Sequence, residues 1–345
     1  MVERAGTELP FRNQTLYSRV DRGVERRIQM FVSCGDALFD LFALPQTTTG
    51  TIAIEGHVGG SPLNVAIGLA RLGNPTGYLA KNSTDVFGQR IAGFLKENAV
   101  STDFLIPSPR NSTLAIVGMR GDGSAEYGFY TSETADRSMT KAELPATLPR
   151  AVECLHVGSY STATEPTASS LLALVRREQG QRFISYDPNI RTSIEPDLDL
   201  WRHQVREFSS TAHFVKASDE DLKALYPGKP VENFAADCIA RGADLVFVTR
   251  GPEGALGFSA DGRSTAAPGV PVEVVDTVGA GDTFQAAGLH WLSAAGFLAS
   301  RRAREADLDA LMDFAIAAAA VTCSRRGADL PRLDEVRPMG RRGRS

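Results

Sequence analysis

Short apolar runs and amphipathic segments alternate along most of the chain. Residues 28–34 (IQMFVSC) are apolar enough for a buried strand, and residues 62–72 repeat apolar side chains at the spacing of one helical face. The same patterns predict further strands over 154–157, 183–186, 212–215 and 245–249, and further helices over 87–98, 167–179, 219–225, 231–241, 282–295 and 307–323. Short apolar strands joined by amphipathic helices are typical of an α/β fold with a mostly parallel sheet and helices on both faces.

Two segments break this alternation, namely residues 38–57 and residues 113–130, in which polar and apolar positions roughly alternate. The second contains a Gly-Asp-Gly turn signal at 121–123 and is predicted to form a β-hairpin. Together the two segments are predicted to form a small β-sheet that covers one edge of the main domain as a lid. The predicted organisation is an N-terminal extension over 1–27, a single domain that includes the lid over 28–337, and a basic tail over 338–345.

The amino-acid composition excludes several classes of protein. Of the 345 residues, 43% are hydrophobic, which supports a sizeable core and excludes a disordered chain. The 37 Lys and Arg nearly balance the 41 Asp and Glu, which argues against a nucleic-acid-binding protein. The longest strictly apolar run, residues 314–321, is far shorter than a membrane span requires.

The four cysteines are dispersed and form no Cys-x-x-Cys pair, so neither a zinc ribbon nor a disulfide framework is expected. The five histidines show no spacing typical of metal ligands. The first residues contain charges and no apolar signal region, so the simplest interpretation is a protein of the reducing cytoplasm.

The most informative motif is VVDTVGAGDTFQAAG at 274–288. A short apolar strand is predicted to lead into Gly279, Ala280 and Gly281, whose backbone N–H groups can converge on one anion at the start of a helix. Asp282 at the rim would repel phosphate, but it suits a base that takes a proton from an attacking hydroxyl group. The alternative is an ordinary strand–turn–helix in which the Asp is the N-cap.

A second Gly-rich motif, GGSPLN at 59–64, opens a helix. The paired glycines permit close approach of the backbone to a ligand, and Asn64 could hydrogen-bond a polyhydroxy compound. The alternative is a simple loop in which Asn64 is a local cap. The chain contains neither a P-loop nor a complete Rossmann fingerprint, and it lacks the HExxH and GxSxG motifs.

Together, GGSPLNVAIGLARLG and DTVGAGDTF resemble the two signatures of the ribokinase-like (PfkB) carbohydrate kinase family. The resemblance covers about residues 28–336. Further stretches match in the same order, namely CGDALFD, LHVGS, DPNIR, VKASDEDL, VTRGPEG and AAAAVTCSRRGAD. Within the family, DPNIR, SDEDL and FYTSETADR are most similar to bacterial fructokinases. The resemblance implies a ribokinase-like fold, with a central mostly parallel sheet, helices on both faces and a small β-sheet lid.

The resemblance also implies roles for individual residues. Asp282 matches the catalytic base, and Gly279, Ala280 and Gly281 match the anion hole that stabilises the transferring phosphoryl group. The sugar-binding positions are matched by Asp40, Gly59, Gly60 and Asn64. Arg191 of DPNIR is placed to meet a phosphate or an acidic sugar.

The positions implied for the nucleotide are Lys216, Ser218, Asp221, Thr249, Gly251 and Gly254. Asp221 stands where relatives carry Glu in an Asn-x-x-Glu pattern, and it would hold Mg²⁺ through water. Asp276 and Val278 match a loop that holds a monovalent cation in several relatives. Ile316 replaces a common Asn, which predicts a more apolar adenine pocket. The resemblance implies ATP and Mg²⁺ as cofactors. The match of Asp276 and Val278 to the cation-binding loop implies K⁺ as a further one.

The reaction that the resemblance implies is ATP-dependent phosphorylation of a primary hydroxyl group, most simply D-fructose to fructose 6-phosphate. A 2-keto-3-deoxygluconate kinase and a ribokinase are the alternatives among enzymes. A catalytically inactive sugar-binding regulator is the alternative from another class, although an intact Gly-Ala-Gly-Asp argues against it. A homodimer formed through the lid is predicted, with no nucleic-acid or membrane partner.

Overall fold

The computed structural model describes residues 29–44, 50–119, 125–300 and 302–336. Its strands are β1 Met30–Cys34, β2 Leu38–Ala43, β3 Ile54–Gly59, β4 Thr76–Ser83, β5 Val100–Ser101, β6 Leu105–Ser108, β7 Thr113–Met119, β8 Ala125–Tyr130, β9 Val152–Gly158, β10 Phe183–Asp187, β11 Phe214–Ser218, β12 Leu245–Thr249, β13 Ala255–Ser259 and β14 Ser264–Ala267. Its α-helices are α1 Ser61–Arg71, α2 Val86–Glu97, α3 Thr167–Glu178, α4 Leu198–Ser209, α5 Asp219–Leu225, α6 Val231–Ala240, α7 Ala280–Ala294, α8 Phe297–Ser300 and α9 Leu308–Cys323.

A ten-stranded sheet forms the centre of the molecule, in the order β14-β13-β12-β11-β10-β9-β1-β4-β5, with β6 also paired to β4. All its pairs are parallel except β12–β13 and β13–β14. Helices α1, α7 and α9 pack on one face, and α3, α4 and α6 pack on the other. Both faces are covered, so the central strands are mostly apolar rather than alternating. The predicted α/β architecture is confirmed.

A separate four-stranded sheet, in the order β3-β2-β7-β8, forms the predicted lid. The pair β7–β8 is the expected antiparallel hairpin, although its Gly-Asp-Gly turn lies outside the described residues. The lid is joined to the main domain by short connections, because β2 follows β1 after three residues and β3 leads into α1 through Gly60. Several large apolar lid residues are 37–62% exposed, namely Phe42, Leu44, Ile52, Ile54 and Tyr130. The homodimer through the lid stays a prediction.

One predicted strand is wrong. Residues 268–278, which lead into the Gly-Ala-Gly turn, form an irregular segment, and Val274 is 59% exposed. Pro268 and Pro271 lack the N–H group that a ladder requires. Val275 N–H instead donates to the Cys323 carbonyl oxygen at the end of α9 (2.9 Å). The turn is therefore held by the helix layer and not by the sheet.

All four cysteines are free in the structure, and three of them are buried. Within the part of the chain that the structure describes, no helix combines the length and the apolar character needed to cross a membrane.

Candidate active site

A cavity of about 1130 Å³ lies between the lid, the carboxyl ends of β10, β11 and β12, and the start of α7. Carboxyl ends of parallel strands are the usual ligand-binding edge of an open α/β sheet. The sequence-predicted residues that line the cavity are Asp40, Gly60, Asn64, Arg191, Lys216, Ser218, Asp221, Thr249, Gly251, Gly254, Val278, Gly279, Ala280, Gly281 and Asp282. Gly59 and Asp276 line an adjoining cavity of about 900 Å³, which shares Asp40, Asn64 and Val278 with the first.

The start of α7 has the geometry of an anion-binding turn. Gly279 is the N-cap in the left-handed conformation (φ 78°), and a Cβ atom there would lie 2.8 Å from the Ala328 Cβ atom. The first helical bond runs from Thr283 N–H to the Gly279 carbonyl oxygen (2.8 Å), so the preceding amides lie at the positive end of the helix. Among these, Ala280 N–H also donates to the Thr277 carbonyl oxygen (3.2 Å). Because Gly279 is the N-cap, the alternative interpretation of Asp282 as an N-cap is wrong.

Asp282 connects the two Gly-rich motifs. Its carboxylate is buried and accepts hydrogen bonds from Ser61 Oγ (2.6 Å) and Asn64 Nδ2 (2.8 Å) of the first motif. A third donor, Asn189 Nδ2, lies 3.5 Å from Oδ1. The Asn64 side chain therefore contacts Asp282 and does not act as the local cap that was the alternative. Two sequence motifs more than 200 residues apart form one site.

Close packing explains the paired glycines of the first motif. A Cβ atom on Gly59 would lie 2.4 Å from Asp40 Oδ2, and one on Gly60 would lie 2.5 Å from the Asp36 carbonyl oxygen. Gly60 also has a φ of 118°, which favours glycine. A larger side chain at Gly59 would displace the Asp40 carboxylate, and one at Gly60 would collide with the backbone that leads into β2. The two glycines therefore leave room for Asp40 and for close packing of the chain at the start of α1.

The lid end of the cavity contains two carboxyl groups whose pKa values are raised. Burial, with a smaller contribution from Asp136, raises the pKa of Asp36 to about 7. Burial raises the pKa of Asp40 to about 6, opposed by the charges of Arg191 and His57. Because Arg191 acts on both carboxyl groups, its guanidinium group faces this end of the cavity, where Nη1 also donates to the Ile190 carbonyl oxygen (2.9 Å).

The opposite end contains an ion pair and a capping box. Lys216 Nζ lies 2.8 Å from Asp187 Oδ2, and both side chains are buried. Ser218 Oγ accepts from Asp221 N–H (3.0 Å), while Asp221 accepts from Ser218 N–H (3.4 Å) and from Ile190 N–H (3.0 Å). Asp221 thus holds the loop after β10 against the start of α5.

The turn after β12 brings three of the predicted nucleotide positions to the same wall. Gly254 has a φ of 85°, and a Cβ atom there would lie 2.0 Å from the Ala267 carbonyl oxygen. Gly251 has a φ of 53° but open space around it. Thr249 Oγ1 donates to the Ala217 carbonyl oxygen (3.4 Å). Further along the cavity, Ile316 lies in an apolar stretch of wall formed by α9.

No group of three or more His, Cys, Asp or Glu side chains suited to holding a metal ion occurs in the ranges that the structure describes. The Asp276 carboxylate accepts from Val278 N–H (3.0 Å) and Gly327 N–H (2.9 Å). Its side-chain oxygens therefore stabilise the loop.

Four residues at the site have no role in the sequence-based assignment, namely Asp36, Ser61, Asp187 and Asn189. Each lies inside a stretch that was noted, CGDALFD, GGSPLN or DPNIR. Residue spacing identified the stretches but not which polar side chain in each one points into the cavity. That direction depends on strand ends and turns that only the fold defines.

The whole described domain matches a known family. Residues 29–335 match the pfkB family of carbohydrate kinases, and the chain belongs to this family. It is therefore a carbohydrate kinase, and its mixed sheet, two helix layers and small separate sheet are the ribokinase-like fold.

Among the similar proteins and structures are several fructokinases. The chain is 38% identical over 283 residues to a fructokinase of Rhizobium leguminosarum bv. trifolii, covering 82% of this chain and 85% of the relative. It superposes on a fructokinase with bound ATP from Xylella fastidiosa with a TM-score of 0.80 and 25% identity, covering 90% of this chain and 97% of that one. It superposes on a Vibrio cholerae fructokinase bound to fructose, ADP and calcium with a TM-score of 0.75 and 25% identity, covering 90% and 99%.

Proposed function

We propose that the protein is an ATP-dependent fructokinase that converts D-fructose to fructose 6-phosphate. The observation that carries this proposal is the buried Asp282 carboxylate, which joins the Gly-Ala-Gly turn to the Ser61 and Asn64 side chains in one cavity. The names and bound ligands of the relatives support ATP as the phosphoryl donor and fructose as the acceptor.

In the proposed reaction, Asp282 accepts the proton of the sugar's primary hydroxyl group as its oxygen attacks the γ-phosphorus of ATP. The new O–P bond forms while the bond from the γ-phosphorus to the β,γ-bridging oxygen breaks, and ADP leaves with that electron pair. Ser61 and Asn64 orient the carboxylate before the sugar binds. The sugar hydroxyl then takes the place of one of these donors.

The turn of Gly279, Ala280 and Gly281 is proposed to stabilise the charge on the transferring phosphoryl group. Backbone amides at a helix start carry partial positive charge and need no reorganisation during the reaction. Ala280 N–H already donates to Thr277, so it would be shared between that carbonyl oxygen and the phosphoryl group. Arg191, at the lid end, would meet the phosphate of the product or a second anionic group.

The sugar is proposed to lie at the lid end, where Asp40 and Asn64 flank Gly59 and Gly60. An ionised carboxylate such as that of Asp40 accepts strong hydrogen bonds from neighbouring sugar hydroxyl groups. When the lid is closed, water is excluded, so that ATP is not consumed by hydrolysis.

The nucleotide is proposed to extend along Lys216, Ser218, Thr249, Gly251 and Gly254, with its base against Ile316. A Mg²⁺ ion bound with ATP would supply charge neutralisation of the phosphates. Asp221 fits contact with this ion through water, because its oxygens already accept two backbone N–H groups. Main-chain carbonyl groups of Asp276 and Val278 are the proposed ligands of a K⁺ ion.

A coupled assay of ADP release tests the substrate directly. We expect fructose to give the highest kcat/KM among fructose, ribose, 2-keto-3-deoxygluconate, glucose, tagatose and adenosine. Highest activity on 2-keto-3-deoxygluconate or ribose would replace fructokinase by the corresponding kinase. Sugar binding without any sugar-dependent ADP release would indicate a regulator instead of an enzyme.

The raised pKa of Asp40 predicts a pH-dependent sugar affinity. The carboxyl group is ionised above about pH 6 and protonated below it, so the KM for fructose should rise as pH falls through about 6. Asp40→Asn should raise this KM by roughly 10- to 100-fold at pH 7.5, the equivalent of a charged hydrogen bond. Steady-state kinetics between about pH 5 and about pH 8 measure both effects.

The KM for ATP serves as the internal control in that experiment, because Asp40 lies at the lid end. In Asp40→Asn the additional rise of the fructose KM below about pH 6 should be absent. Parallel pH curves for the variant and the wild type would show that Asp40 is not the titrating group.

A further inference from the structure

A buried lysine lies beneath the phosphoryl-transfer site. Lys216 on β11 and Asp187 at the end of the neighbouring strand β10 form an ion pair of 2.8 Å, with side chains 4% and 0% exposed. An unpaired ammonium group in such surroundings would be strongly disfavoured. Burial is the largest single effect on Lys216 and by itself would lower its pKa, but Asp187, with smaller contributions from Asp282 and Asp221, raises the pKa above its usual value.

The ammonium group lies directly against the Gly-Ala-Gly turn. A Cβ atom on Gly281 would lie only 2.7 Å from Lys216 Nζ, so the glycine leaves room for the charge. Lys216 also lines the cavity together with Gly281 and Asp282. The positive charge is therefore held next to Gly281 in the wall of the cavity into which an incoming phosphoryl group would project.

The titratable groups near Lys216 lie on β9, β10, α5 and α7. Asp187 on β10, Asp282 on α7 and Asp221 on α5 all favour its protonated form. His156 on β9 stays neutral, because burial and then the charge of Lys216 lower its pKa to about 3. Among the three carboxylates, that of Asp187 accepts a hydrogen bond from the ammonium group (2.8 Å), so Asp187 fixes the position of Nζ.

We propose that Asp187 is a positioning residue that holds the charged Lys216 ammonium group beneath Gly281, where it stabilises the phosphoryl group during transfer. This inference rests on the proposed kinase function and adds a role for the first residue of DPNIR. The contribution is made mainly to the transition state, because negative charge moves toward the turn as the bond to ADP breaks. Removing Asp187 should therefore affect kcat more than the KM for the sugar.

The test is Asp187→Asn, which preserves size and removes the charge. We expect kcat at pH 7.5 to fall at least about tenfold while the KM for fructose changes less than about threefold. We also expect a new loss of kcat as pH rises toward about 9.5, because burial lowers the pKa of a Lys216 that has lost its partner. The wild type should show no such loss, since Asp187 keeps the pKa of Lys216 raised.

Glu178→Gln is the matched control for loss of a buried carboxylate. Glu178 is 6% exposed, pairs with Arg182 at 2.8 Å and does not line the cavity. A general loss of stability would affect both variants, whereas the basic-side loss of kcat should occur only in Asp187→Asn. An unchanged pH profile of kcat in Asp187→Asn would overturn the proposal.

A double variant, Asp187→Asn with Lys216→Met, covers the case in which the single variant does not fold, because it leaves no buried unpaired charge. We expect it to have low kcat with no basic-side loss, and wild-type kcat in this variant would also overturn the proposal.

An NMR titration of the Lys216 ammonium group separates the proposed function from the proposed role of Asp187. Wild-type protein that releases no ADP with any sugar would refute the proposed function alone. The role of Asp187 is then decided by the pKa of Lys216, which should be lower in Asp187→Asn than in the wild type. Equal pKa values of Lys216 in the two proteins would refute that role.

Discussion

Asp282→Asn is expected to lower kcat by about 10²- to 10⁴-fold, the usual effect of losing a general base. The carboxamide keeps an oxygen for the bond from Ser61 Oγ, and Asn64 can rotate its amide to accept from the new NH₂ group. The buried network therefore remains satisfied while the proton acceptor is lost. Steady-state kinetics with fructose and ATP give kcat and both KM values, which should change little.

Asp103→Asn provides the control for this substitution. Asp103 is exposed between β5 and β6, at the opposite edge of the sheet from the cavity. Its replacement should leave kcat unchanged and the free energy of unfolding within about 0.5 kcal/mol of wild type. A kcat for Asp282→Asn within tenfold of wild type would remove Asp282 from the role of base.

Gly254→Ala is expected to destabilise the protein by about 3 kcal/mol or more, although the sequence assigned this glycine to nucleotide binding. A left-handed φ costs a non-glycine residue about 1–2 kcal/mol. The new Cβ atom would also lie 2.0 Å from the Ala267 carbonyl oxygen at the end of β14, so the backbone at the end of β14 and just after it would have to move. At about 2–4 °C per kcal/mol, the Tm should fall by roughly 5 °C or more, measured by calorimetry.

Gly251→Ala distinguishes the cost of a positive φ from the cost of a steric clash of the new Cβ atom. Gly251 lies three residues earlier in the same turn and also has a positive φ, but no atom lies within 4 Å of the place of its Cβ. It should lose only about 1–2 kcal/mol. Equal Tm values for the two variants would mean that Gly254 is not required by the close approach to Ala267.

The lid is connected to the C-terminal segment as well as to the sheet. The Glu55 carboxylate on β3 lies 3.2 Å from Arg326 Nη2 and 3.1 Å from His57 Nε2. Gly327, the next residue after Arg326, donates its backbone N–H to the Asp276 carboxylate. Exposed pairs of this kind contribute about 1 kcal/mol or less. The lid position therefore depends mainly on packing and on the short connections through Gly59 and Gly60.

The pattern of apolar positions predicted most of the main domain. Buried strands such as β12, with Leu245, Val246 and Phe247, are apolar because both faces of the sheet are covered. The prediction of a strand from Val274 to the Gly-Ala-Gly turn was wrong, because a short apolar run resembles a strand whether or not a partner is available. A strand requires neighbours along its edge, and these belong to the tertiary structure.

The sequence by itself determined the α/β class, the separate lid and the two Gly-rich motifs that mark the site, because side-chain periodicity and backbone flexibility are local properties. Only the tertiary structure brought Asp282 to Ser61 and Asn64, and the Lys216–Asp187 pair to Gly281. It also showed that Gly254 is required by a neighbouring strand. These contacts join residues distant in sequence through strand ends and helix starts, and their geometry depends on how the whole sheet and both helix layers pack.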